Sequence, residues 1–272
     1  MSEELINKVL AEVVKKMGGD APAPSAAPAP APTPTPMPAA GTLPAVTEFV
    51  GTNVLGDTIG MVIANVDPKL RAMMKLEKDF RSIGILGART GAGPHIFAAD
   101  EAVKATNSEI LTIELPRDTK GGAGHGSLII FGAEDVSDAR RAVEVALGEL
   151  DRTFGDVYGN DAGHLEFQYT ARASYALNKA FGAPIGKAFG ITVGAPAGIG
   201  VVLADTAVKA ATVDVIGYAS PAGGTSYSNE VISFLSGDSG AVRQAIIAAR
   251  EVGIPLLGAL GATPESTTTP YI

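Results

Sequence analysis

The chain writes one cassette twice. Residues 99–105 and 204–210 carry the same heptapeptide except that Thr206 stands where the first copy has Glu101, and the two lie 105 positions apart. Glu109–Ile113 then aligns with Asp214–Tyr218, and Gly132 with Gly237. After a two-residue gap, Arg140, Ala142 and Val143 face Arg243, Ala245 and Ile246. Upstream, Leu76, Lys78 and Phe80 face Leu177, Lys179 and Phe181, and SIGILG at 82–87 faces AFGITVG at 188–194. A repeat this long means one folding unit used twice, with a boundary near 152–160.

Each copy reads alike. A β-rich or irregular start leads to a short helix (about 68–80, and 171–181), and a buried strand follows (82–87, 189–194). A Gly-rich turn leads to a helix (97–106, 202–211) and a strand (109–115, 213–219). A Gly-rich loop, a strand (127–132, 230–236) and a long helix (135–150, 239–252) close the unit. Strands alternating with helices predict an α/β layer, helices over a small sheet. Two such units imply pseudo-twofold packing within the chain and invite closed cyclic assembly.

What is not duplicated is the N-terminus. Residues 1–18 predict an amphipathic helix: Ser2 caps it, Glu3 and Glu4 suit its first turn, and Gly18-Gly19 ends it. Leu5, Val9, Val13 and Met17, flanked by Ile6 and Leu10, form one apolar stripe. Residues 19–46 are a Pro/Ala-rich linker, extended and semi-rigid at about 3.1 Å per residue. A helix this short is marginal alone in water, so its stripe calls for a partner. Met37, near the linker's end, could serve as an internal start.

Composition narrows the function. The net charge of −8 and the lack of a basic run argue against nucleic acid, because neutralising phosphates needs clustered cations. The chain has no cysteine, which excludes disulfides, thiolate zinc sites and cysteine-held iron–sulfur clusters. No apolar run reaches the ~20 residues of a membrane span, and no secretory signal opens the chain, so a cytoplasmic protein is expected. Neither a cofactor nor a metal is expected.

Gly87-Ala-Arg-Thr-Gly91-Ala-Gly93 follows a strand, as a phosphate cradle would, but lacks the Gly-Lys-Ser/Thr ending, and its counterpart at 194–200 has no basic residue. A structural turn is the better reading. Lys120, Gly121, Gly122, Ala123, Gly124 and His125 lead into a strand, which removes the helix N-terminus a pyrophosphate needs. Their counterpart contains Ser220, Pro221, Gly223, Gly224, Thr225 and Ser226. Such side-chain-poor loops suit a symmetry axis or pore rim, and equally an ordinary connection. The histidines His95, His125 and His164 are dispersed and form no catalytic signature. Lys104 and Lys209, at one place in both copies, suggest a repeated surface contact.

The second cassette, LADTAVKAATVDVIGYASPAGG followed by SGDSGAVRQAIIAARE, resembles the bacterial microcompartment (BMC) shell domain, and AADEAVKATNSEILTIELPRDTKGGAGHGSLIIFG resembles a longer-loop version. The resemblance implies an α/β, α+β-sandwich chain of two tandem, circularly permuted BMC domains, 47–156 and 157–272, with helices on antiparallel-rich sheets after a disordered N-terminal extension. It further implies a non-enzymatic shell protein within the cytoplasm, assembled as a homotrimer that forms a pseudohexagonal tile beside other BMC shell proteins. Lys104 and Lys209 would lie at tile edges. The loops 117–127 and 220–227 would frame pores for small diols such as propanediol or glycerol. Residues 1–18 would dock lumenal enzyme cargo. The rival readings are a small-diol enzyme with His95 or His125 as general base, and a metabolite sensor binding its ligand in the Gly-rich loops.

Overall fold

Each copy pairs two apolar strands at the centre of its own sheet. In the first they are β3 (Ser82–Ala88) and β5 (Ser127–Ala133), and in the second β8 (Ala188–Ala195) and β10 (Val231–Gly237). The computed structural model describes residues 46–76, 78–117 and 125–272. The predicted N-terminal helix (Leu5, Ile6, Val9, Leu10, Val13, Met17), its linker, and Lys120, Gly121, Gly122, Ala123 and Gly124 lie outside the described residues.

The first sheet runs in the order β1 (Phe49–Asn53), β2 (Thr58–Ile63), β3, β5, β4 (Glu109–Glu114). The second runs β11 (Glu265–Ser266), β6 (Val157–Asn160), β7 (Gly163–Thr170), β8, β10, β9 (Asp214–Ala219). All pairings are antiparallel. The described helices are α1 (Pro68–Met74), α2 (Ala92–Ala105) and α3 (Val136–Thr153) in the first copy. The second copy has α4 (Tyr175–Phe181), α5 (Ala197–Ala210) and α6 (Ser239–Gly258). The expected α/β layering is therefore present in both copies.

Glycine sets how closely helix and sheet approach. A Cβ at Gly84 of β3 would lie 2.6 Å from the Ala139 carbonyl oxygen and 2.8 Å from Val143 Cγ2, both on α3. The equivalent Gly190 of β8 sits under Ile246 and Val242 of α6 at 2.9–3.0 Å. Only a residue without a side chain allows this contact, because interiors pack at crystal-like density.

The main apolar core crosses from one copy to the other. Ile96 and Phe97 of α2 share it with Leu177, Phe189 and Ile191 of the second copy. Phe97 stacks on Phe189 with centroids 5.9 Å apart, and Phe181 continues the stack to Phe234 at 5.0 Å. In a chain only 6% aromatic, much of the aromatic payload is thus placed between the repeats.

Several expected boundaries shift. The first helix ends at Met74, not near 80, because Lys75 turns left-handed (φ 52°) and Arg71 reaches back to the Phe80 carbonyl at 2.9 Å. Counted from the N-caps Asp67 and Ser174, the partner of Leu177 is Leu70 rather than Leu76. Helices α2 and α5 start five residues earlier than the sequence predicts, so Gly93, Gly198 and Gly200 lie inside helices. Gly93 is tolerated there because a Cβ would come within 3.0 Å of Glu166 Oε2. Helix α6 continues to Gly258 through Pro255 in its last turn. Register pairs Gly132 with Ile83 and Ser236 with Phe189, so the structural equivalent of Gly132 is Ser236, one place before the aligned Gly237. The hairpins β1–β2 and β6–β7 fill what the sequence leaves irregular.

Candidate functional site

The described parts of the two Gly-rich loops meet within one chain. Arg117 Nη1 donates to the Ser226 carbonyl at 2.6 Å, and the Ala92 amide at the start of α2 donates to the His125 carbonyl at 3.1 Å. The loop 220–228 is held turn by turn. Gly223 N–H donates to Ser220 O at 3.0 Å and Thr225 N–H to the same oxygen at 3.2 Å. Thr225 Oγ1 closes the turn on the Ser228 carbonyl at 3.2 Å. Ser226 and Tyr227 adopt positive φ (49° and 66°), and Gly224 supplies φ 107°. The backbone here is a fixed series of turns, with Tyr227 projecting outward.

Beneath these loops lies a cavity of about 480 Å³ between the two copies. Gly224, Thr225, Ser226 and His125 line it from the loops, and Phe181, Phe234 and Ile191 supply apolar lining. Glu166 from β7 and Glu230 just before β10 reach into it. The Glu230 carboxylate stands between two imidazoles, with His164 Nε2 at 3.6 Å and His125 Nδ1 at 3.8 Å. His164 Nε2 is 3.7 Å from Glu166 Oε1. These separations exceed hydrogen-bond reach. Glu230 Oε1 and His164 Nε2 are buried without a protein partner.

Burial decides the protonation states. It pushes the Glu166 carboxyl up to about 8, with the Glu230 charge adding to the effect. It raises Glu230 as well, against the pull of Arg117. It lowers His164 to about 4, and it lowers His125 with help from the Arg117 charge. At neutral pH the cluster is therefore a protonated acid, a second acid with raised affinity for protons and two neutral imidazoles. It offers hydrogen-bond donors and acceptors, which suits a small hydroxylated molecule.

His95 lies elsewhere. It is sealed in the core edge-on to Phe154, with Thr58 Oγ1 at 2.6 Å and the Gly91 carbonyl at 2.5 Å, and burial lowers it to about 4. No substrate reaches it, which removes it as a general base. Among the described residues no His, Asp or Glu group has the geometry of a metal site. No described helix is long and apolar enough to cross a membrane.

The two repeated lysines have different surroundings. Lys104 Nζ binds Asp100 and Glu101, each at 2.9 Å, and its side chain is 24% exposed. Lys209 pairs with Asp205 at 2.7 Å and is 74% exposed. Sequence reasoning missed Glu166, His164 and Glu230. The available signal was acidic residues inside or beside otherwise apolar strands, where a carboxylate is costly to bury.

A model of the BMC domain matches residues 82–160 and 188–262, the core of each copy. The chain belongs to the BMC-domain family. It is 63% identical over 271 residues to the bacterial microcompartment shell protein PduB of Citrobacter freundii, covering 100% of this chain and 99% of that one. A solved trimeric bacterial microcompartment shell protein PduB is 55% identical with a TM-score of 0.81, across 84% of this chain and 100% of that one. EtuB of Clostridium kluyveri gives 58% and 0.80 over the same shares. The BMC-domain chain is thus a structural protein of a microcompartment shell and not an enzyme.

Proposed function

We propose that three copies of this chain close into a pseudohexagonal tile that joins other shell proteins around enzymes of propanediol or glycerol breakdown. The observation that supports this most is the 55% identity and TM-score of 0.81 to a shell protein described as trimeric. On this reading residues 47–156 and 157–272 are the two BMC domains, and Lys104 and Lys209 lie at tile edges. Small diols pass beside the loops 117–127 and 220–227. The Ser226 hydroxyl and loop carbonyls replace part of a diol's hydration, while the Thr225 hydroxyl is held inside its own turn. Residues 1–18 tether enzyme cargo to the inner face.

Light scattering should give three times the 27.6 kDa chain mass, with sheets in negative-stain images. A monomer overturns the assembly reading. Deleting residues 1–36 should leave the trimer intact and release cargo from purified compartments. Equal permeation of intact shells by propanediol and its aldehyde would overturn selective passage.

A further inference from the structure

A second pocket, of about 440 Å³, opens between the copies on a different set of residues. Its lining carries four cations: Lys104 of α2, Arg152 of α3, Arg172 just after β7 and Arg243 of α6. One carboxylate, Glu101, stands against them. In a chain of net charge −8 this pocket reverses the prevailing sign.

Two of the cations are already engaged. Lys104 Nζ reaches Asp100 Oδ2 and Glu101 Oε1, each at 2.9 Å. Arg152 Nε reaches Glu149 Oε2 at 2.7 Å, and its Nη2 lies 3.9 Å from Glu101 Oε1. Its guanidinium also sits over the Tyr271 ring, 4.9 Å from the centroid. These contacts fix where both side chains point. Arg172 and Arg243 are exposed and have no ion-pair partner among the described residues. Holding the two copies together accounts for Lys104 and Arg152 but not for the other two. Unpaired guanidinia beside fixed cations repel them, and an anion in the pocket would remove that repulsion.

The charge is a departure from repetition. Ile59 and Glu166 share a register position, and six places later the first copy has Asn65 where the second has Arg172. Arg140 and Arg243 align, and twelve places later the second copy has Pro255 where the first has Arg152. Tyr271 has no counterpart, because the first copy runs from α3 into β6. Both added arginines therefore converge on one pocket within the chain.

We propose that this pocket binds a phosphate group, either as the free ion or as the phosphate monoester of a small molecule. Guanidinium forks match the oxygens of a phosphate two at a time, and Lys104 adds a point charge. A dianion answers the excess of cations, whereas a single carboxylate leaves most of it unmet. The volume leaves room for a short carbon chain beside the phosphate. All of the lining comes from one chain, so the site forms independently of the trimer.

Isothermal titration calorimetry of the full chain, in phosphate-free buffer at neutral pH and constant ionic strength, tests this with inorganic phosphate and separately with glycerol 3-phosphate. Saturable heat at one ligand per chain is expected. Arg172→Gln and Arg243→Gln, at exposed unpaired positions, should leave Tm unchanged and each weaken binding about tenfold or more. Arg172→Lys, which keeps the charge without the fork, should fall between. Arg141→Gln, at an exposed arginine of α3 outside the pocket, should bind as wild type does. Tighter binding of the ester assigns the site to monoesters, and equal binding assigns it to the free ion. Heat that does not saturate overturns the site. So does a variant carrying both Arg172→Gln and Arg243→Gln that binds like wild type, or an equal loss in Arg141→Gln, since then only net charge counts.

Discussion

The buried acid Glu166 makes stability fall as pH rises through neutrality. Its carboxyl titrates near 8 in the folded chain against an ordinary value of 4.5. Between those values the folded state keeps a proton that the unfolded state has released, so each pH unit costs about 1.4 kcal/mol. Below pH 6.5 this is opposed by His95 and His164, held neutral in the fold down to about 4 while the unfolded imidazoles take up protons. Above 6.5 that opposition ends and the Glu166 slope stands exposed. From pH 6.5 to 8 the loss is about 2 kcal/mol, or roughly 4–8 °C in Tm for a domain of this size. Glu230, also raised by burial, gives a loss of the same sign as pH rises through its own titration. Differential scanning fluorimetry at constant ionic strength and protein concentration measures it. Glu166→Gln, which keeps the shape and cannot ionise, should flatten most of the slope between pH 6.5 and 8. A variant that declines as steeply as wild type would refute the assignment of the proton to this carboxyl.

Two further outcomes follow from packing between and within the copies. Asp100→Ala removes the acceptor of Ser174 N and Leu177 N and leaves Lys104 without its buried partner. Urea unfolding should show a loss of about 3 kcal/mol, well above that of Asp205→Ala, whose side chain is exposed. Gly84→Ala should destabilise by about 3 kcal/mol and more than Gly190→Ala. The first added methyl meets the fixed Ala139 carbonyl at 2.6 Å, whereas the second meets only side-chain atoms of Ile246 and Val242 that can shift. Thermal melts of the two variants decide the order.

The layered fold was legible because a duplicated pattern tests itself: an apolar strand read at 82–87 had to reappear at 189–194, and both lie at the centres of their sheets. Helix starts were less legible. Glycines at 91–93 and 198–200 signal a turn by local propensity; Gly91 is the left-handed cap before α2, but Gly93, close against Glu166, and Gly200, close against Val231, lie within helices. The hairpins β1–β2 and β6–β7 were legible only as a β-rich or irregular start, since Gly51, Gly60 and Gly159 weaken the strand pattern. The candidate site was half legible. Repeat equivalence led to the loops at 125 and 220–226, while Glu166, His164 and Glu230 come together only through pairing of β7, β8 and β10. No spacing along the chain encodes that meeting.

The departures from repetition carry the functional information. Strand register places Ile59 of β2 where β7 has Glu166, because Ile59 pairs with Gly87 and Glu166 with Val193, at matching points of β3 and β8. A ring of such chains has two kinds of seam. Seams within chains hold the acid–imidazole cluster and its cavity. At the matching place the first copy holds Ile59 and Ile85 instead of Glu166 and Ile191, which makes that surface apolar. An identical domain used six times would have to make every seam the same. Joining two copies in one chain lets one of two equivalent surfaces stay apolar while the other carries ionisable groups, without either requirement being imposed on the other.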